Sequence, residues 1–490
     1  MYSNTHLNIC GKFLLILGAC MAAPLAISLA CQQPDSGAFL LSATITAASG
    51  AVLTVLFRPG RGELRLRDGY ILAGLIWLGA GIFGAFPFYF SGAVSSPLDA
   101  LFESVSGFTT TGATVFAGVE DKPMGVLFWR SLSHWLGGMG IIVLSVAFLP
   151  RLGAGAMQLF RAEVPGPSAE RLLPRIKETA RVLWLLYAVL TALMVLCLLG
   201  AGMGWFDAVN HAFATVATGG FSTRDGSVGA FDNAWIEIIV IVFTAAAGVN
   251  FALYYYLYNR RWHLIREDRE LRFYLAILGG AGLILALNLF FSGAYSSWWE
   301  SLRHGYFQVV TVITTTGFST ADFAQWPSFA RGLLIVLQFL GASAGSTSGA
   351  IKLIRIVIVL KLIAREFYRL LHPKMVRPIR IGAKLIPEEM LHGITAFIQL
   401  YFLIFAAAGL LVSVTGVDMV SAFSGAAATL GNVGPGLGQL GPLGNYLGLP
   451  AAAKVVYILC MLLGRLEVFS FALFLAWPVL AAVRKIKERR

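Results

Sequence analysis

Four short stretches combine threonine, glycine and small residues in a way suited to holding a partly dehydrated cation. They read Ser106-Gly-Phe-Thr-Thr-Thr-Gly112-Ala-Thr, Ala214-Thr-Val-Ala-Thr-Gly219-Gly-Phe-Ser-Thr, Val312-Ile-Thr-Thr-Thr-Gly317-Phe-Ser-Thr, and Ala426-Ala-Ala-Thr-Leu-Gly431-Asn-Val-Gly. Glycine reaches positive φ without a Cβ clash, so successive carbonyls can turn toward one side. Threonine hydroxyls add further oxygens. Four such turns around one axis make rings of oxygens that can replace the water shell of a cation. The candidate ligating positions are Thr110, Thr111 and Gly112; Ala217, Thr218 and Gly219; Thr315, Thr316 and Gly317; and Thr429, Leu430, Gly431 and Asn432. Their glycines fall 107, 98 and 114 residues apart.

The surrounding pattern repeats as well. Each turn follows a segment of about three helical turns, too short to span a bilayer, and precedes a long apolar run. Unpaired backbone in lipid costs several kcal/mol per group, so such turns survive only when buried in protein or lining a polar cavity. The 490-residue chain is 57% hydrophobic and only 13% charged, far too little charge to cover a soluble surface. The expected fold is an all-α polytopic membrane protein with four M1–pore helix–M2 repeats around a central pseudo-fourfold pore. An N-terminal helical hairpin at 1–60 precedes repeats at 69–150, 178–260, 271–365 and 388–484, and a basic tail occupies 485–490. A signal-peptide reading of Lys12 to Cys31 fits less well, because its apolar run is long and a second one follows a short polar turn.

Charge sets the orientation. Twenty-six of the 37 Lys and Arg residues fall in five stretches: Arg58–Arg67, Arg151–Lys177, Arg260–Arg272, Lys361–Lys384 and Arg484–Arg490. The alternate loops carry scattered cations among Glu103, Asp121, Asp207, Asp225, Asp232, Asp322 and Asp418. Cytoplasmic loops carry such an excess of basic residues, so both termini are expected in the cytoplasm. Topology accounts for the net charge of +12 without a nucleic-acid partner. Cys10, Cys20, Cys31, Cys197 and Cys460 lack metal-ligand spacing and read as small buried hydrophobes.

Several polar residues interrupt the apolar runs. Asp99, Asp207, Glu300 and Asp418 open the short helices, where they either offset the helix dipole or concentrate cations at an outer mouth. The run from Gly341 to Gly349, which includes Gly345, is too rich in Gly, Ser and Thr to hold a straight helix, unless close helix packing uses its small residues. Arg465 sits inside the last spanning run and should face a cavity or a carboxylate, with Glu467 on another face. Arg130 and His134, one turn apart, read as packing groups rather than pathway groups. No Walker-type Gly-Lys-Ser/Thr run or catalytic His/Cys/Asp cluster is evident, which argues against an enzyme.

These turns, with Trp135-Leu-Gly-Gly-Met-Gly-Ile, Gly345-Ser-Thr-Ser-Gly-Ala-Ile-Lys and Leu463-Gly-Arg-Leu-Glu-Val-Phe, resemble the Trk/Ktr/HKT superfamily of potassium transporters, closest to its TrkH-type subunits. The resemblance spans essentially the whole chain. It implies K⁺ at the filter carbonyls, no tightly bound cofactor, and a filter at Gly112, Gly219, Gly317 and Gly431. In that superfamily Ser at the first filter glycine goes with Na⁺ transport, so Gly112 favours K⁺. The fourth filter departs most, with Leu430 where the others have Thr. The resemblance further implies that Gly341, Gly345 and Gly349 belong to an intramembrane gating loop with Arg465 beside it. It implies a homodimer in the bacterial inner membrane and a cytosolic nucleotide-binding regulatory subunit of TrkA type. Two alternatives stand beside this reading: a cation-coupled transporter with alternating access, whose broken helices bind substrate at the midplane, and a Na⁺-permeable member of the same superfamily.

Overall fold

A computed structural model describes residues 4–59, 66–140, 176–375, 377–381 and 384–466. Glu467, the stretch 141–175 and the basic tail 485–490 lie outside the described residues. The N-terminal hairpin is α1 (Asn4–Cys20) running into α2 (Ala22–Ala30), then α3 (Ser36–Leu56). Its arms touch through small residues: a Cβ at Gly11 would lie 2.7 Å from the Gly50 carbonyl oxygen, and one at Gly50 would lie 2.7 Å from Gly11 O. Without a strong hydrophobic drive between helices in lipid, such close backbone approach supplies the packing.

Four units follow. The first comprises α4 (Leu66–Gly84) with its short continuation α5 (Phe86–Phe90), then α6 (Pro97–Phe108) and α7 (Met124–Gly138). The second is α8 (Ile176–Gly200), α9 (Trp205–Val216), α10 (Ala234–Ala247) and α11 (Phe251–Tyr258), with α12 (Trp262–Glu267) as a connector. The third is α13 (Arg269–Phe291), α14 (Trp298–Ile313), α15 (Ser328–Gln338) and α16 (Leu353–Leu371). A two-residue ladder pairs Arg380 with Leu385 before the fourth unit. That unit is α17 (Glu388–Val414), α18 (Met419–Leu430) and α19 (Ala451–Arg465).

The second helix of each unit has 12 to 16 residues. At 1.5 Å per residue that is about 18–24 Å, short of a hydrocarbon core of about 30 Å. Among the described residues six helical stretches are long and apolar enough to cross a membrane, or seven if α10 and α11 form one bent span. The run Trp235–Leu257, which reads as one span in sequence, breaks at Gly248 with a bend of 91°. Asn250 caps the new helix by accepting the Ala252 N–H at 3.0 Å. Side chains such as Leu185, Leu193 and Leu196 face outward, as lipid requires.

The units close into a ring. The trailing helix of each packs on the short helix of the next: α7 on α9, α10 on α14, α15 on α18, and α19 back on α6. Each of these seams carries a polar link from the trailing helix to the next unit. Arg130 donates to Ser222 O at 2.8 Å, and Glu237 pairs with Arg303 at 3.1 Å. Gln338 donates to Pro435 O at 2.9 Å, and Lys454 pairs with Asp99. Lys454 and Asp99 are both buried, so removing one strands the other charge. Asp99→Ala is expected to cost about 3–5 kcal/mol of stability, read as a lowered thermal midpoint in detergent, and Asp99→Ala with Lys454→Met should recover part of it.

Candidate functional site

The four short helices end alike. The second residue beyond each helix is left-handed: Thr110 (φ 53°), Thr218 (54°), Thr315 (58°) and Asn432 (53°). Its N–H bonds back to the third-preceding carbonyl, and the next N–H bonds to the fifth-preceding one. The first set is Thr110→Gly107, Thr218→Thr215, Thr315→Val312 and Asn432→Thr429. The second is Thr111→Ser106, Gly219→Ala214, Thr316→Thr311 and Val433→Ala428. This is a Schellman ending, which satisfies carbonyls left over at a helix terminus. Such endings ordinarily use glycine. A β-branched threonine at φ > 0 is an outlier that costs on the order of 1–3 kcal/mol, and strain of this kind clusters at functional sites.

Two residues further on, each unit has a left-handed glycine: Gly112 (φ 79°), Gly220 (83°), Gly317 (79°) and Gly434 (99°). A Cβ at Gly112 would overlap the Gly219 carbonyl oxygen, and one at Gly220 would overlap Thr316 O. One at Gly317 would overlap Val433 O, and one at Gly434 would crowd Thr111 O. The carbonyls of Thr111, Gly219, Thr316 and Val433 therefore form a closed cycle, each against the glycine of the preceding unit. Above it opens a cavity lined by all four units, through Gly112, Thr114, Gly220, Ser222, Gly317, Ser319, Gly434 and Pro435, with Arg224 and Asp225 at its side.

This geometry shifts the register in two units. Gly219 is the equivalent of Thr111 and Thr316, and the counterpart of Gly112 is Gly220. Ala217 is the residue that closes helix α9. In the fourth unit Thr429 and Leu430 are the last residues of α18, Gly431 is its C-cap at φ −77°, and Asn432 aligns with Thr110. Val433 and Gly434 complete that turn. The mismatch of Leu430 with Thr therefore came from misalignment, since Leu430 is a fully buried helix residue. The repeated Gly-Phe-Ser-Thr beginning at Gly220 and Gly317 is the sequence signal that fixes the register of unit two.

Polar side chains hold the turns from behind. Glu103 accepts from Thr114 Oγ1 at 3.0 Å, from the Val115 N–H at 2.9 Å and from Arg130. Asn432 donates to Thr111 Oγ1 at 2.9 Å and to Met461 O at 3.0 Å, tying unit four to unit one. Asp207 holds Thr223 at 2.6 Å and Arg224 at 3.1 Å, and its hydrogen bond pushes the Arg224 guanidinium further up. Asp418 caps α18 through the Ser421 N–H at 2.9 Å, which keeps its carboxyl below the ordinary range. The acids at the short-helix starts that have these partners therefore serve as caps and clamps.

Beneath the turns the run from Phe339 to Lys352 forms a buried loop whose ends meet in a bridge between Leu340 and Ile351. Gly341 must lack a side chain because a Cβ would overlap Gly349 O, and Gly345 is left-handed at φ 74°. The Gly349 N–H donates to Thr315 Oγ1 at 2.7 Å, and Thr218 Oγ1 meets Thr347 Oγ1 at 3.2 Å. A Cβ at Gly349 would lie 2.7 Å from Gly431 O. The break in α10–α11 serves this loop: Ser343 N–H donates to Gly248 O at 3.1 Å and Phe251 N–H to Gly345 O at 3.0 Å. Glu270 accepts the Ala344 N–H at 2.7 Å. Arg465 donates to Thr347 O at 2.8 Å, to Gly137 O at 2.6 Å and to Gly138 O at 3.2 Å. Sequence reasoning found the loop and the arginine but missed Gly248–Asn250 and Glu270. The Gly-Val-Asn triplet inside an apolar run was the available signal for the first.

Fold and site together define a multi-pass membrane protein of the cation-transport class. The TrkH family model, described as a cation transport protein, matches residues 36–479, and the chain belongs to that family. It is 44% identical to the Trk system potassium uptake protein TrkH of Halomonas elongata, covering 95% of this chain and 96% of that one. It is 41% identical to the protein of the same name from Escherichia coli, over 96% and 98% of the two chains. The crystal structure of the potassium transporter TrkH from Vibrio parahaemolyticus superposes with a TM-score of 0.87 at 37% identity, covering 96% of this chain and 98% of that one.

The two fourth-unit glycines can be separated by substitution. Gly434→Ala forces a Cβ onto both a left-handed backbone and the Thr111 carbonyl, so, like a side chain at Gly112, it is expected to reshape the ring, lowering K⁺ flux in proteoliposomes by about a hundredfold and the K⁺/Na⁺ ratio with it. Gly431→Ala meets Gln338 O and Ala427 O at 2.9 Å from an ordinary helical φ, and should cost at most about tenfold in flux.

Proposed function

We propose that this protein carries K⁺ inward across the bacterial inner membrane through the ring of carbonyls at Thr111, Gly219, Thr316 and Val433. The observation that carries this reading is the cyclic fit of each carbonyl against the glycine of the preceding unit. It sets four carbonyl oxygens, one from each unit, in a closed cycle, where in this reading they replace the ion's hydration shell. The relatives named as Trk system potassium uptake proteins support K⁺ as the ion. The four-unit closure favours a pore over a transporter with alternating access, which two related halves usually build.

Below the ring the loop from Gly341 to Gly349 is the gate in this reading, and Arg465 is its latch. Its guanidinium joins the loop at Thr347 to the first unit at Gly137 and Gly138. A fixed positive charge under the ring also opposes cation passage. The basic loops support a cytoplasmic location for both termini. The chain works as a homodimer with a nucleotide-binding regulatory subunit of TrkA type, which acts on the gate from the cytoplasmic side. The basic segment around Lys361, Arg365 and Lys374 is the docking region in this scheme.

Flux of K⁺ and Na⁺ into proteoliposomes tests the core of the proposal. Passive uptake that favours K⁺ is the expected result, and strict coupling to another solute would reject it. Gly112→Ser should lower the K⁺/Na⁺ flux ratio about tenfold, which corresponds to about 1.4 kcal/mol of discrimination. Arg465→Ala removes charge-assisted hydrogen bonds worth about 1.5–3 kcal/mol each, so basal flux should rise tenfold or more. A fall in flux at normal expression would count against the latch.

A further inference from the structure

The second unit departs from the other three at the residue that supplies its ring carbonyl. Where units one, three and four have Thr111, Thr316 and Val433, unit two has Gly219, followed by Gly220. Two consecutive glycines leave a strand with little conformational restraint of its own. Gly219 is not left-handed, so backbone strain does not demand glycine there. What excludes a side chain is the imidazole of His134: a Cβ at Gly219 would overlap that ring.

His134 comes from α7 of the first unit and is fully buried. Its Nε2 accepts the Phe221 N–H at 3.2 Å, while Nδ1 meets the Gly107 carbonyl at 2.7 Å. An N–H can donate only to an unprotonated nitrogen, so Nδ1 carries the proton and donates to Gly107 O. The ring also stacks on Phe221 at 4.1 Å between centroids. One turn earlier on the same helix, Arg130 lies 3.8 Å over that Phe221 ring and donates to Ser222 O at 2.8 Å. Residues 219–222 are thus gripped in succession by two side chains of the neighbouring unit. In the third unit Phe318 stacks on the His211 ring of the second at 5.8 Å between centroids, but the His211 Nε2 meets Ser222 Oγ and not the Phe318 N–H.

We propose that His134 is a positioning residue for ion selectivity: it replaces, from outside, the restraint that the Gly219-Gly220 pair lacks. It touches no ion. It fixes the Gly219 carbonyl by filling the space behind it, by holding the Phe221 N–H and by stacking on the Phe221 ring. This inference rests on the filter reading above.

The test is the K⁺/Na⁺ flux ratio of the full-length protein in proteoliposomes, measured on variants that remain monodisperse. His134→Leu keeps bulk but offers no acceptor, and should lower the ratio about tenfold. His134→Gln brings an amide oxygen that can accept the Phe221 N–H, and should recover part of the loss. Gly219→Ala should also lower the ratio, and its effect should be smaller in a His134→Ala background, because the overlapping ring is gone. Should His134→Leu fail to fold, Phe221→Leu removes the stacking and must lower the ratio instead. A folded His134→Leu or Phe221→Leu protein with the parental ratio overturns the inference. Gly112→Ser separates the two levels: if it shifts the ratio while His134→Leu does not, only the role of His134 fails. If neither shifts it, the filter reading fails as well.

Discussion

Backbone contact at four points sets the dimensions of the whole molecule. The carbonyls of Thr111, Gly219, Thr316 and Val433 each lie where a Cβ of the preceding unit's glycine would have to be. A side chain at Gly112, Gly220, Gly317 or Gly434 would have to push a neighbouring carbonyl aside, so at these points the units meet backbone to backbone. A ring of this kind must be aimed and held by the helices around it. The short helices do the aiming, and the trailing helices of neighbouring units do the holding. Because the seams run from one unit to the next, none of the four turns is positioned by its own unit alone.

Closing the ring this way stores strain. Three β-branched threonines and an asparagine occupy left-handed backbone, each at a cost on the order of 1–3 kcal/mol. The Schellman hydrogen bonds offset part of it, and side-chain contacts offset more. Thr218 and Thr315 hydroxyls meet the loop at Thr347 and Gly349, while Asn432 reaches Thr111 across the fourth seam. The hydroxyls of Thr218 and Thr315 are therefore useful where glycine would be easier. They connect the backbone of the turns to the loop that lies beneath it.

Much of this was legible in the sequence because lipid leaves few options. Repeated apolar runs, short interrupted helices and segregated basic loops follow from the cost of unpaired backbone and charge in a bilayer. The four Thr/Gly turns, the weak run at Gly341–Gly349 and Arg465 inside an apolar run stood out for the same reason. The register of the turns did not. Gly219 and Gly431 looked like the key glycines because they end a Thr-containing run, but a Schellman ending puts its left-handed residue after the C-cap, whatever that residue is. Only backbone torsions separate Gly431, an ordinary helical glycine, from Gly434. Long-range pairings were equally hidden: nothing local to Arg130 or His134 reveals that their partners lie about ninety residues away at Ser222 and Phe221.

A single chain of four unequal units can do what four identical subunits cannot. The loop at Gly341–Gly349 belongs to the third unit alone, yet it is bound to all four. Thr347 meets Thr218 of the second, Gly349 meets Thr315 of its own unit, and Gly349 packs on Gly431 of the fourth. Arg465 links it to Gly137 of the first. Individually such hydrogen bonds contribute about 0.5–1.5 kcal/mol net, or about 1.5–3 when charged. Together they hold a closed loop by several kcal/mol, while no one of them suffices. A loop held like this leaves as a body or stays, because loosening one tether leaves the others to restore it. That makes the proposed gate two-state by construction. It also places the energy needed to move it within the few kcal/mol that differential binding of a partner can supply.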